Sequence, residues 1–249
     1  MTQGLSIGLD IGGTGIKAGI VNVHTGELVS ERVKVATPAG AKPESVVAAT
    51  QSLLSQLNAP ENIPLGIAFP SIVVDVVTLL AANIDQSWIG LNAGQLFSTR
   101  LHREVTIIND ADAAGVAEVA FGAGKDIPGL IIMTTLGTGI GSALFMDGVL
   151  IPNAELGHLT IGRHEAESWA SNAVREKKQL SWKRWSRRLQ EYFAELEMLF
   201  SPSLIIVGGG VSKYAEEFLP RLSLRTPIVA ASFRNNAGIV GAARLSSRP

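Results

Sequence analysis

Asn109 and Asp110 stand where an apolar run, Val105–Ile108, gives way to the Ala-rich stretch Ala111–Phe121. A carboxylate between a strand and a helix occupies the kind of position where α/β proteins place chemistry. It can accept the proton of a hydroxyl as that oxygen attacks phosphorus. Asp110 can equally be the N-cap of the helix, and Asp112 is a second carboxylate on its first turn. Further along, Glu155 and His158 lie three apart around Gly157. Such a pair can hydrogen-bond adjacent hydroxyls of a polyol. The same E-x-x-H spacing is half of a metal site, but cysteine is absent and His164 is the one other imidazole nearby. Structural zinc takes four N or S ligands, so a polyol fits this pair better.

Three glycine turns follow apolar runs. The first is Asp10-Ile11-Gly12-Gly13-Thr14-Gly15-Ile16-Lys17. Glycines let backbone N–H groups approach phosphate oxygens. Thr14 can donate a hydroxyl, Lys17 can offset phosphate charge, and Asp10 can hold Mg²⁺ through water. GxxxxGK[ST] is absent, and the GxGxxG dinucleotide pattern does not fit because a strand, not a helix, follows. The alternative is a plain hairpin turn. The second turn is Gly137-Thr138-Gly139, and the third is Gly208-Gly209-Gly210. The third would let a flat ring or a phosphate tail approach, or would simply be a flexible connection.

These turns also reveal a repeat. Leu9–Val21 reads LDIGGTGIKAGIV and Met133–Phe145 reads MTTLGTGIGSALF. Gly13-Thr14-Gly15-Ile16 recurs 124 residues later as Gly137-Thr138-Gly139-Ile140. Each copy reads as strand, turn, strand, then a second turn (Thr25-Gly26; Asp147-Gly148), which predicts a duplicated domain. Elsewhere the pattern is α/β. A helix is predicted over Glu44–Leu57 after Pro43, strands over Leu65–Phe69, Val73–Leu80 and Leu204–Val207, and a last helix through Ala243 capped by Asn235 or Asn236. No Ser/Pro-rich linker appears, so two closely joined lobes with a ligand cleft are expected.

Composition bounds the function. The chain has 249 residues, 46% of them hydrophobic and 17% charged, with net charge −1. Mean hydropathy is +0.26. Such a chain has enough apolar surface to fold, which excludes intrinsic disorder. Near-neutral charge argues against a nucleic-acid binder. Without cysteine, disulfides, thiolate zinc and a cysteine nucleophile are excluded. The N-terminus lacks a signal-peptide pattern. The uncharged stretch Ile127–Met146 is long enough to span a membrane, but its glycines and Pro128 fit a strand–turn–strand better, so no membrane partner is expected.

The strings NDADAAGVAEVAFGAG, TLGTGIGSALF, NAELGH and LSWKRW, with the glycine turns, make the chain resemble the ROK family of sugar kinases nearly end to end. That family lies within the actin/hexokinase/Hsp70 superfamily. The branch it most resembles contains polyphosphate glucokinases and polyphosphate/ATP-glucomannokinases. The resemblance implies duplicated ribonuclease-H-like domains of the actin-like ATPase type, two lobes with an interlobe active-site cleft. A small lobe of 1–108 plus about 237–249 and a large lobe of 109–236 are expected. The implied reaction is transfer of a phosphoryl group from polyphosphate, and from ATP, to the 6-hydroxyl of glucose, and also of mannose. By the same resemblance Asp110 is the general base and Asn109, Glu155, His158 and Glu167 are sugar ligands. Gly12, Gly13, Thr14 and Lys17 form one phosphate loop, Gly137, Thr138 and Gly139 the other, and Gly208–Gly210 the adenosine loop. Asp10 stands near Mg²⁺. A homodimer in the cytoplasm is also implied.

The chain departs from the family at the cysteine-rich zinc motif after the His, where Thr160–Trp169 has no cysteine, so zinc is not expected. Only five residues precede the first strand, too few for the repressor branch's helix-turn-helix. Arg175–Arg188, REKKQLSWKRWSRR, holds seven of the 21 basic residues. Trp182, Trp185, Leu189 and Phe193 share one helical face, and Lys183, Arg184, Arg187 and Arg188 are expected to face outward. This is either a solvated face or a track for polyphosphate. A strictly ATP-dependent hexokinase, a non-catalytic sugar sensor and a polyphosphatase are the rival readings.

Overall fold

The computed structural model describes residues 4–60, 62–81 and 84–247. Along the chain run β1 (Leu5–Ile11), β2 (Gly15–Asn22), β3 (Val33–Ala36), α1 (Pro43–Leu57), β4 (Leu65–Phe69), β5 (Val73–Val74), β6 (Val77–Thr78), α2 (Ala93–Leu101), β7 (Val105–Asn109) and α3 (Asp110–Phe121). Then follow β8 (Leu130–Leu136), β9 (Ile140–Met146), β10 (Val149–Ile151), β11 (Thr160–Ile161), β12 (His164–Glu165), α4 (Ala166–Ala170), α5 (Asn172–Lys177), α6 (Trp182–Phe200), β13 (Leu204–Gly208), α7 (Ala215–Phe218), β14 (Ile228–Ala230) and α8 (Ala237–Ser246). The chain divides into two compact units, 1–117 with 236–249, and 118–235.

The first unit is built on a five-stranded sheet in the order β3-β2-β1-β4-β7. β1 and β2 form an antiparallel hairpin, while β1, β4 and β7 are parallel. Strands covered on both faces need apolar residues at every position, and β4 is buried throughout. Gly8 and Gly66 let α8 lie directly on the sheet: a methyl group on either would stand 1.8 or 1.9 Å from the carbonyls of Ile239 and Ala242. Under the sheet Phe69, Trp88 and Phe97 form an aromatic cluster, and the Trp88 indole N–H donates to Ala41 O at 2.8 Å. Buried Trp N–H groups need such a partner.

The second unit repeats the plan, with sheet order β10-β9-β8-β13-β14. β8 and β9 are the second hairpin, so the uncharged stretch 127–146 is strand, turn and strand. Among the described residues no helix is long and apolar enough to cross a membrane. The repeat carries one difference: four residues separate Ile11 from its partner Ile16, three separate Leu136 from Ile140. The second turn is therefore one residue tighter. α6 buries Trp185, Leu189, Tyr192, Phe193 and Leu196, an i, i+3, i+4 stripe that fixes one face against the core.

Two expectations change. Val73–Leu80 is not one strand: β5 and β6 form a miniature hairpin with Asp75 and Val76 at φ 48° and 62°. Asn236 precedes α8 but makes no side-chain cap; its Oδ1 instead accepts from Arg32.

Candidate active site

In the first unit, β7 delivers Asn109 and Asp110 at its carboxyl end, where α3 begins. Asn109 caps the helix. Its Oδ1 accepts from the N–H groups of Ala111 and Asp112 at 2.8 and 3.0 Å, and its amide donates to Ser71 O at 3.1 Å. The capping role that Asp110 had as an alternative thus belongs to its neighbour. Asp110 is half-buried on the first helical turn, whereas Asp112 is fully buried. A carboxylate at a helix N-terminus is favoured by the helix dipole.

The first glycine turn closes through Gly12 N–H to Gly15 O at 3.0 Å and leaves Gly13 and Thr14 exposed. The end of β3 is tied to it, since the Thr37 hydroxyl donates to Gly12 O and the Thr37 N–H to Thr14 O. Asp10 and Lys17 face each other across β1 and β2 and form a 2.9 Å ion pair.

In the second unit, Gly137 N–H to Gly139 O closes the second turn, leaving Thr138 exposed. Glu155, Leu156, Gly157 and His158 form a turn fastened to the strand just beyond it. Ser142 Oγ accepts from Leu156 N–H at 2.8 Å and donates to Ala154 O at 2.6 Å. Gly157 has no room for a side chain, because a methyl group would lie 2.0 Å from Ile140 O. Glu167, on α4, reaches the same place: the Ile140 N–H donates to its Oε2 at 3.2 Å. Ile140 therefore joins the second glycine turn, the Glu155–His158 turn and Glu167.

His158 is gripped from several sides. Its Nδ1 lies 2.6 Å from Glu165 Oε1 and its Nε2 3.9 Å from Glu155 Oε2. The hydrogen bond to Glu165 is the main cause that raises the His158 pKa; partial burial opposes it, and Glu167 and Glu155 add to it. Burial pushes the Glu155 carboxyl up, with His158 opposing. Glu165 was not foreseen. It arrives through the β11–β12 hairpin, two residues long in each strand, which pairs Thr160 with Glu165. Ligand atoms of His158, Glu165 and Glu167 lie within 4.8 Å of one another, close enough to share a cation. One imidazole and two carboxylates are not the four-N/S set of structural zinc.

The third glycine turn follows β13. Gly209, at φ 82°, lies so close to the end of β8 that a methyl group would stand 2.5 Å from Leu136 O. Its carbonyl accepts from the N–H and hydroxyl of Ser212.

The basic helix divides its cations. Lys183, Arg184 and Arg187 are exposed, as expected. Arg188 does not face outward with them. Its guanidinium lies 3.7 Å from the Trp169 ring centroid and donates to Trp169 O at 2.8 Å. His164 stacks on the same ring, with centroids 4.3 Å apart. Arg188 thereby braces the segment that carries Glu165 and Glu167. Arg175 is likewise placed over Trp182, at 4.2 Å.

The profile described as "ROK family" matches residues 6–172. The chain is 44% identical over 246 residues to the polyphosphate glucokinase of Mycobacterium tuberculosis strain H37Rv, covering 98% of this chain and 92% of that one. It is 46% identical over 242 residues to the polyphosphate glucokinase of Mycobacterium leprae, covering 96% and 74%. Among solved structures, the inorganic polyphosphate/ATP-glucomannokinase of Arthrobacter sp. strain KM superposes with TM-score 0.93 at 52% identity, covering 97% of each chain. A glucokinase from Streptomyces griseus, solved with glucose and AMPPNP, gives TM-score 0.84 at 27% identity, covering 98% and 99%.

Proposed function

We propose, for a chain that belongs to the ROK family, the transfer of a phosphoryl group from inorganic polyphosphate to the 6-hydroxyl of glucose. The observation that carries this reading is the near-full-length match to polyphosphate glucokinases. It falls on a chain that keeps a strand-end carboxylate, glycine turns and an acid–imidazole turn. ATP as a second donor and mannose as a second acceptor belong to the proposal, as do a homodimer and a cytoplasmic setting.

In this reaction Asp110 accepts the proton of the 6-hydroxyl as that oxygen attacks the terminal phosphorus, and the bond from that phosphorus to its bridging oxygen breaks, releasing polyphosphate one phosphate shorter. Asn109 holds the start of α3, and so the direction of Asp110, by its bonds to Ala111, Asp112 and Ser71. Glu155 and His158 bind sugar hydroxyls, with Glu165 favouring the protonated imidazole and holding its orientation, and Glu167 is assigned with them. The amides of Gly13 and Gly139 and the Thr14 and Thr138 hydroxyls receive phosphate oxygens, which carry the charge that grows in the transition state, while the Gly12 and Gly137 amides hold the two turns closed. Gly208–Gly210 receives the adenosine when ATP is the donor. Lys183, Arg184 and Arg187 attract the rest of a long polyphosphate chain; Arg188, bound to Trp169, is withdrawn from that role.

Asp10 offers the hard oxygen that Mg²⁺ prefers, and its pairing with Lys17 favours contact through water over direct ligation. Mg²⁺ there would neutralise charge on the donor phosphates. The test is coupled glucose-6-phosphate formation by purified protein with glucose, Mg²⁺ and either long-chain polyphosphate or ATP. Turnover with polyphosphate is the expected result. Turnover with ATP alone would make the enzyme a conventional hexokinase, and turnover with neither, in folded protein, would put the non-catalytic sugar-sensor reading first.

A further inference from the structure

The first glycine turn has a neighbour outside every role assigned so far. β3 pairs antiparallel with β2, and Lys34 stands directly opposite Lys17, which stands directly opposite Asp10. Asp10, Lys17 and Lys34 therefore form one cross-strand row beside the turn. Within that row the Lys17 ammonium is engaged by Asp10 at 2.9 Å. An acid and a base so paired present no net charge to an incoming polyanion. Lys34 is the member that gives the row a positive charge.

Its side chain is also in place. Lys34 runs over Gly15: a methyl group built there would lie 2.7 Å from its Cε and 3.6 Å from its Nζ. A side chain at residue 15 would push the lysine off the turn. The strand bearing Lys34 is pinned to the same turn by both bonds from Thr37, the hydroxyl to Gly12 O and the N–H to Thr14 O. A mobile surface lysine is a poor anion ligand, because ordering its long chain costs entropy. Here Lys34 is exposed but springs from a strand pinned to the turn, and its ammonium lies 3.6 Å from the methyl position at Gly15, the residue that follows exposed Gly13 and Thr14.

We propose that Lys34 is a phosphate-binding residue for the phosphoryl donor, holding the anion against the first glycine turn with a charge that the Asp10–Lys17 pair cannot supply. The inference rests on the kinase reading above, but not on which donor serves. Any donor must present phosphate to this turn, so both polyphosphate and ATP fall under it.

The test compares Lys34→Met with wild type, using long-chain polyphosphate, or ATP should wild type accept only that. A charge-assisted hydrogen bond to phosphate is lost, so the donor KM is expected to rise about tenfold. The KM for glucose should stay within about twofold, inside the usual range for an exposed substitution. Tripolyphosphate binding without sugar gives a second readout, free of turnover. The slope of log affinity against log salt should become shallower by about 0.7, as expected for one lost contact to a flexible polyanion. Lys34→Arg should recover most of the donor affinity. Unchanged donor KM and unchanged salt slope in a folded Lys34→Met protein would overturn the assignment. Wild-type protein that turns over neither donor would sink the kinase reading instead, and the binding arm would still judge Lys34.

Discussion

Replacing Gly157 by alanine tests the link between the second glycine turn and the Glu155–His158 turn. Gly157 is buried, and the new methyl group would stand 2.0 Å from Ile140 O and 3.1 Å from Ile140 Cβ. Carbon and oxygen approach no closer than about 3.3 Å even in favourable C–H···O contacts. The turn must therefore retreat by roughly 1 Å, because Ile140 is held in the β8–β9 ladder. Glu155 and His158 travel with it. A displacement of about 1 Å at a positioning element can cost about 10²-fold in rate. Overpacking at a buried site also costs about 1–3 kcal/mol in stability. The expected outcome is a fall of about 10²-fold in kcat/KM for glucose, with a lowered Tm, in protein whose far-UV circular dichroism is unchanged. Affinity for tripolyphosphate, measured without sugar, should change far less. Wild-type glucose kinetics together with an unchanged Tm would refute the reasoning, since the methyl group would then have found room that the geometry denies it.

Three further outcomes follow from the same geometry. Neutralising Lys183, Arg184 and Arg187 together should raise the KM for long polyphosphate at moderate salt and leave that for glucose alone; an unchanged polyphosphate KM would reduce the helix to a solvated surface. Arg188→Ala should behave differently, weakening glucose binding and lowering Tm through the loss of its contacts to Trp169, and a pure polyphosphate effect would contradict this. Glu165→Gln should lower the His158 pKa, read by NMR titration of the imidazole. His158 is raised above its ordinary 6.5 by Glu165, with Glu167 and Glu155 also facing it. The stability from its protonated form is full below the ordinary value and is lost as pH rises through the raised one. In the variant that loss should begin at lower pH, and an unmoved titration would refute Glu165's part.

The legible parts of the sequence were those written in local signals. Apolar runs closed by glycines gave the two hairpins, and Asn109-Asp110 was conspicuous as a polar pair between strand and helix. The less legible parts depend on contacts between short elements. Glu165 reaches His158 only because the β11–β12 hairpin folds the chain back, and two-residue strands leave no periodic trace. Val33-Lys34-Val35 does alternate, yet as an edge strand with half-buried valines it is easily passed over. Arg188 departs from its outward-facing neighbours for a simple reason. It lies three residues after buried Trp185, about 60° round the helix, at the flank of the apolar stripe rather than opposite it. There the Trp169 ring takes the guanidinium.

The most direct test of the account is polyphosphate-driven glucose-6-phosphate formation by Asp110→Asn beside wild type. Asn109 supplies the helix cap, so the variant should fold, and the favourable charge lost at the start of α3 costs about 0.3–1 kcal/mol. The account predicts that kcat falls by at least about 10²-fold, at the low end for a lost general base, with Tm nearly kept. Near-wild-type turnover would contradict the assignment of Asp110 as the base, and with it the mechanism built around the end of β7.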